Sequence, residues 1–135
     1  MRKTVQLLLI APLCGCVAAA PKPDAGSERA NPIPIPLAME EIITTGVRQH
    51  LQDSASARFG TMLAGERTLN GRREVVVCGT VNARNPSGVY GGDRPFAAKI
   101  YPDAGSAFDL VAMGDTDAGL VDSTCRAAGL PIPHP

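Results

Sequence analysis

The chain has 135 residues, which fits one domain and leaves little room for two. Thirteen basic and thirteen acidic side chains cancel, which argues against a nucleic-acid partner, since such binders normally carry a basic excess. With 44% hydrophobic and 19% charged residues it is not a highly charged disordered chain, and with no Trp, two Tyr and three Phe it has little from which to build an aromatic stacking platform.

Met1, Arg2 and Lys3 make a short positive start, followed by the apolar residues Val5, Leu7, Leu8, Leu9, Ile10, Ala11 and Leu13. This core is shorter than the roughly 20 apolar residues that cross a bilayer and has the length of a signal-peptide core. Leu13-Cys14-Gly15-Cys16 then resembles the bacterial lipobox, with an aliphatic residue at −3, a small one at −1 and the cysteine that is lipidated. The resemblance implies a lipoprotein signal peptide over 1–15, a diacylglyceryl thioether on Cys16, and acylation (palmitate) of the new amino terminus. Several acyl chains at about 0.8 kcal/mol per buried CH₂ make such attachment effectively permanent. Val17, rather than Asp, after that cysteine favours the outer membrane, facing the periplasm, by the sorting rule of enterobacterial lipoproteins. An ordinary signal peptide cleaved near Ala18-Ala19-Ala20, releasing a soluble secreted protein, is the alternative.

Residues 16–36 read as a tether. Pro21, Pro23, Pro32, Pro34 and Pro36 fall in it, and the alternation from Asn31 to Pro36 favours extended polyproline II geometry. Losing Arg2 and Lys3 leaves the mature chain two acidic charges in excess, so no basic patch holds it to anionic lipid. Residues 37–135 form the single folded domain.

The domain opens with a helix over 37–51, with Pro36 at its first position, Glu40 and Glu41 near its positive end, and an apolar stripe of Met39, Ile42, Ile43, Val47 and Leu51. Gly46 weakens this helix by about 1 kcal/mol relative to Ala. His50 borders the stripe and reads as a half-buried structural histidine, with a catalytic or ligand histidine as the alternative. The period then changes to two, giving strands at 59–67, 73–83, 95–101 and 107–113. Asn70-Gly71 is a hairpin signal, and Pro102-Asp103-Ala104-Gly105 a turn. Val75-Val76-Val77-Cys78 is apolar on both faces, so its strand is central. A second helix spans 117–128 with Leu120, Val121, Thr124, Cys125 and Ala128 on one face, stopped by Gly129 and Leu130-Pro131. His134 lies in an extended tail. The expected architecture is α+β: an N-terminal helix, a four-stranded antiparallel meander and a C-terminal helix, with both helices on one sheet face.

Cys14 leaves with the signal and Cys16 carries lipid, so Cys78 and Cys125 remain for an oxidising compartment. Their disulfide closes 47 residues, contributing about 4 kcal/mol in the chain-entropy model, and staples the last helix to the central strand. Two buried free thiols are the alternative. The pair lacks zinc-ligand spacing.

The loop from Asn82 to Phe96 is longer than a hairpin needs. Ser56-Ala57-x-Phe59, Cys78-Gly79-x-Val81-Asn82-Ala83-x-Asn85, Gly88-x-Tyr90-x-Gly92 and Pro95-Phe96 resemble a group of uncharacterised small secreted or lipid-tethered proteobacterial proteins with the pattern DPxSAxF…VCGxVNAKNxxGGYxGxxPF. The resemblance covers about 51–96, departs at Ser54, Arg84 and Val89, and implies no activity. Two readings of the loop stay open. In one, Asn82, Asn85, Tyr90 and Arg94 present donors and an aromatic face to a ligand. In the other, glycines supply positive φ, the asparagines cap the loop's own backbone and Tyr90 folds onto the sheet.

Other constellations carry less. Asp109, Asp115, Asp117 and Asp122 lack the order of a calcium loop, and capping by Asp115 or Thr116 accounts for them. Adjacent Glu40 and Glu41 point apart on a helix. Ser87 has no constrained base, and no phosphate-binding loop, nucleophile elbow or zinc-protease motif occurs. The expectation is therefore a non-enzymatic envelope lipoprotein without cofactor or metal. It would be a tethered module binding another envelope protein or a cell-wall component. The alternatives are an enzyme or enzyme inhibitor acting on cell wall or a secreted substrate, and a small-ligand or metal carrier.

Overall fold

The computed structural model describes Gly15 and residues 28–132. Residues 1–14 of the expected signal peptide, Cys16 and His134 lie outside those residues. The elements are β1 (Asn31–Ile33), α1 (Leu37–Arg48), β2 (Arg58–Leu69), β3 (Arg72–Asn82), β4 (Arg94–Tyr101), β5 (Ala107–Met113) and α2 (Ala118–Ala127), with 3-10 turns at Ser54–Ser56 and Pro102–Ala104. All strand pairs are antiparallel, in the order β1-β2-β3-β4-β5. The fold class is α+β, and the meander of β2 to β5 is the expected one.

The sheet has five strands rather than four. The extra strand comes from Asn31-Pro32-Ile33, which the proline spacing places in the tether. Asn31 pairs with Glu66 and Ile33 with Ala64. Proline is admissible here because β1 is an edge strand, where a missing N–H can face away from the ladder. Ala30 just before it is buried, and its N–H donates to the Ala128 carbonyl at 3.0 Å.

The helices lie on opposite faces of the sheet, not on one. Along β3, Val75, Val77 and Val81 point into one core with Ile43 and Val47 of α1, plus Phe96, Ala98 and Ile100 of β4. Val76 and Cys78 point into the other, with Val121, Cys125 and Ala128 of α2. A strand apolar on both faces needs a cover on each, and a single helical layer would leave half of β3 in water. The Cys78–Cys125 disulfide, with Cα atoms 6.0 Å apart, joins α2 to this central strand.

Pro36 is the N-cap of α1 rather than its first helical residue, and its carbonyl accepts from the Met39 and Glu40 N–H groups at 3.0 Å. The helix ends at Arg48, and Leu51 still packs on the α1 core. Gly46 is where α1 lies directly on β5: a Cβ there would stand 2.3 Å from the Phe108 ring. The Asn70-Gly71 turn is present, with φ of 53° and 76°, joining Leu69 to its partner Arg72. In α2 Leu120 leaves the expected face and is 51% exposed. No side-chain oxygen caps α2: Asp117 is the N-cap residue without a capping bond, so capping by Asp115 or Thr116 does not account for the acidic cluster. Asp122 instead chelates Arg126 at 2.8 and 2.9 Å, one turn on. The helix stops in a Schellman motif. Leu130 N–H reaches the Cys125 carbonyl at 2.8 Å and Gly129 N–H the Arg126 carbonyl at 3.0 Å, with Gly129 at φ 74°.

Candidate functional site

Antiparallel connectivity brings three segments to one end of the sheet: the close of α1 with residues 49–57, the start of β2, and the 83–93 loop between β3 and β4. The loop satisfies much of its own backbone. Asn85 Oδ1 accepts from the N–H groups of Ser87 (3.0 Å) and Val89 (3.2 Å), and the Asn85 N–H donates to the Val89 carbonyl at 2.9 Å. Gly88 and Gly92 take positive φ. Ser56 ties this loop to the 3-10 turn: its Oγ accepts from the Arg84 N–H at 2.8 Å and its carbonyl accepts from the Tyr90 hydroxyl at 3.0 Å.

The four residues singled out from the sequence are therefore brought to one end but play different parts. Asn85 and Tyr90 are engaged inside the protein. Asn82 Oδ1 is buried without a donor in reach among the described residues, which costs roughly 1–3 kcal/mol if nothing supplies one. Arg94 lines a groove of about 390 Å³ together with His50, Gln52, Arg84, Asn85 and Pro86. Val89, at 60% exposure, stands out beside it.

Sequence reading, which expected no basic patch from the net charge, missed the other arginines at this end of the sheet. The Arg58 guanidinium lies 4.1 Å from the Tyr90 ring centroid and that of Arg84 5.5 Å from it. Arg48 stands 5.6 Å from the Phe59 centroid. Cations over aromatic faces are held in place at about 0.5–1 kcal/mol each where exposed. Among the described residues, none of Arg48, Arg58, Arg84 and Arg94 has a carboxylate within 4.0 Å. Elsewhere on the domain Arg67 and Lys99 pair with Glu74, Arg73 with Glu66 and Asp103, and Arg126 with Asp122, while Arg72 lies over the Tyr101 ring at 3.7 Å without a carboxylate partner among the described residues. Arg58 and Arg84 flank Ser56-Ala57 and Asn85 in the sequence, so proximity to the quoted motif was the available signal.

His50 is exposed rather than half-buried. Its Nδ1 stands 3.0 Å from the Gly46 carbonyl, so Nδ1 donates and Nε2 is the nitrogen left for another partner. Among the described residues the groove is lined by one imidazole and two guanidiniums, with no carboxylate, thiol or hydroxyl side chain beside them. Such a set can bind and orient an anion; it offers no nucleophile–base pair. Among the described residues no group of three His, Cys, Asp or Glu side chains is placed to hold a metal ion.

A second polar cluster, unforeseen, sits on the α2 face near the Asn70-Gly71 turn. Arg67 Nε donates to Glu74 Oε1 at 2.7 Å, with both side chains about 95% buried, and Lys99 Nζ lies 3.6 Å from the same oxygen. Arg67 Nη1 also donates to the Glu28 carbonyl. Glu74 shares the inward alternation of Val76 and Cys78, and an acid at an inward position signals a buried cation partner. The comparisons add no relative: no family model, curated protein or solved structure matches the chain.

Proposed function

We propose that this chain is a lipid-anchored envelope module without enzymatic activity, which binds another envelope component through the end of the sheet carrying the 83–93 loop. The lipobox resemblance at Cys16 supports the anchor, with the outer membrane, facing the periplasm, as its location. One observation carries the binding half: four arginines without carboxylate partners among the described residues gather at a loop whose backbone is held by Asn85, Ser56 and Tyr90. A loop fixed by Asn85, Ser56 and Tyr90 loses little entropy on binding, which favours a preformed recognition surface. A groove without a nucleophile–base pair supports binding rather than turnover.

The two halves are tested separately. Labelled palmitate is expected in the wild-type chain and not in Cys16→Ser, which should leave the membrane fraction; a Cys16→Ser chain still labelled and membrane-bound refutes the anchor. Photo-crosslinking in intact cells from position 89 should capture a discrete partner, and from position 103, at the far turn, should not. Equal capture from both positions refutes the loop end as the binding surface.

A further inference from the structure

We infer that the groove between Arg84, Arg94 and His50 is a phosphate-binding site, taking a phosphate monoester as the recognised group; this rests on the loop end being the binding surface. Three observations converge. First, Arg84 and Arg94 line one groove of about 390 Å³, within the size range of small-ligand sites. Neither has a carboxylate partner among the described residues. Two guanidinium-bearing side chains lining one groove favour an anion between them. Second, His50 lines the same groove with Nδ1 held on the Gly46 carbonyl, so Nε2 is the ring nitrogen left, accepting from a protonated phosphate oxygen when the ring is neutral and donating to a phosphate oxygen when it is protonated. Third, the groove's Asn85 has its Oδ1 turned to the Ser87 and Val89 N–H groups, which takes up the acceptor end of that amide and leaves the lining rich in donors: the two arginines and the Asn85 and Gln52 amide nitrogens.

The donor count selects phosphate over carboxylate. One guanidinium satisfies a carboxylate in a bidentate fork, whereas two guanidiniums suit a group with about two negative charges and three free oxygens. The Tyr90 face is approached by the guanidiniums of Arg58 and Arg84, which argues against sugar or base stacking there and leaves recognition to charge and hydrogen bonding. The group can arrive on a small soluble molecule or on a lipid headgroup, and both present the same oxygens.

The full chain, purified in detergent, would be titrated with inorganic phosphate, and with acetate and chloride at matched ionic strength. The side-chain Nε–H signals of Arg84 and Arg94 would be followed by NMR. Phosphate is expected to give saturable shifts at both, and acetate a response at least tenfold weaker. Arg84→Gln and Arg94→Gln should each weaken phosphate binding about tenfold or more, while Arg73→Gln, whose side chain pairs with Glu66 and Asp103, leaves it unchanged. Glycerol 3-phosphate and vesicles carrying phosphatidic acid then separate the soluble source from the headgroup. Non-saturating shifts, an equal response to acetate, or unaltered binding in both variants overturn the site. Loss of phosphate binding with crosslinking from position 89 intact sinks this inference and spares the binding surface; phosphate binding without any crosslink does the reverse.

Discussion

Gly46 changes meaning between sequence and structure. In a stripe of Ile42, Ile43 and Val47 a glycine looks like a weak point, and Ala at the same position gains about 1 kcal/mol of helix propensity. Phe108 reverses the sign, because a Cβ would sit 2.3 Å from its Cδ1 and 2.5 Å from its Cε1. Gly46→Ala is expected to destabilise by about 1–3 kcal/mol in urea denaturation, the usual cost of overpacking. Phe108→Leu should recover part of that loss in the double variant, which a propensity effect alone would not give. Glu74 is the second residue whose cost depends on its neighbours. Two cations share its Oε1, and Arg67 is about as buried as Glu74 itself. Glu74→Ala strands the guanidinium and should cost about 3–5 kcal/mol. Replacing both with methionine removes the buried charges together and should cost far less, since Lys99, 22% exposed, still reaches water. Equal losses in the single and double variants would show that packing, not charge, holds this corner.

Elements were legible where one signal dominated. The period-two runs, the Asn70-Gly71 turn and the Gly129 stop are local, and each appears within a residue or two of its expected place. The layer order was not local. Val75 to Cys78 announced a strand covered on both faces, but which helix covers which face depends on register across three strands. The alternation of Val77 with Cys78, read together with Ala98 and Ala97 opposite them, sets α1 against one face and α2 against the other. The 83–93 loop was legible as unusual, and its asparagines as turn-forming, yet the arginines around Tyr90 come from β2 and the loop together. No spacing in one segment announces that. The loop's rigidity is testable through Asn85, which accepts two N–H groups. Asn85→Ala should cost about 1–2 kcal/mol by the worth of those bonds. It should also raise amide hydrogen exchange at Ser87 and Val89 while leaving the β3–β4 ladder protected. If exchange at those two amides is unchanged, the glycines alone shape the loop.

At the scale of the whole molecule, β1 moves the start of the folded domain from residue 37 to about residue 30. The segment before it is correspondingly short: 17–30 spans at most about 45–50 Å when fully extended. The chain joins the sheet beside Glu66, and β2 then separates that point from Arg58 by about 25 Å, at about 3.3 Å per residue. The anchor proposed at Cys16 would therefore pull on the half of the sheet opposite the arginines and leave their groove free to turn outward. This arrangement depends on a three-residue strand holding its place. Three contacts fix it: the Ala30 N–H on the Ala128 carbonyl, Arg67 on the Glu28 carbonyl, and the close fit of Ala30 on Gly65, where a Cβ would come within 2.7 Å. Gly65→Val fills that space and should detach β1 while β2 to β5, held by their own ladders and by the Cys78–Cys125 disulfide, remain paired. Limited trypsinolysis followed by mass measurement reads the difference. Cleavage after Arg29 should be slow in the wild-type chain and severalfold faster in Gly65→Val, with the remainder of the domain still resistant. Were both chains cut after Arg29 at the same rate, β1 would be no firmer than a tether. The distance over which the module reaches would then be set from residue 37.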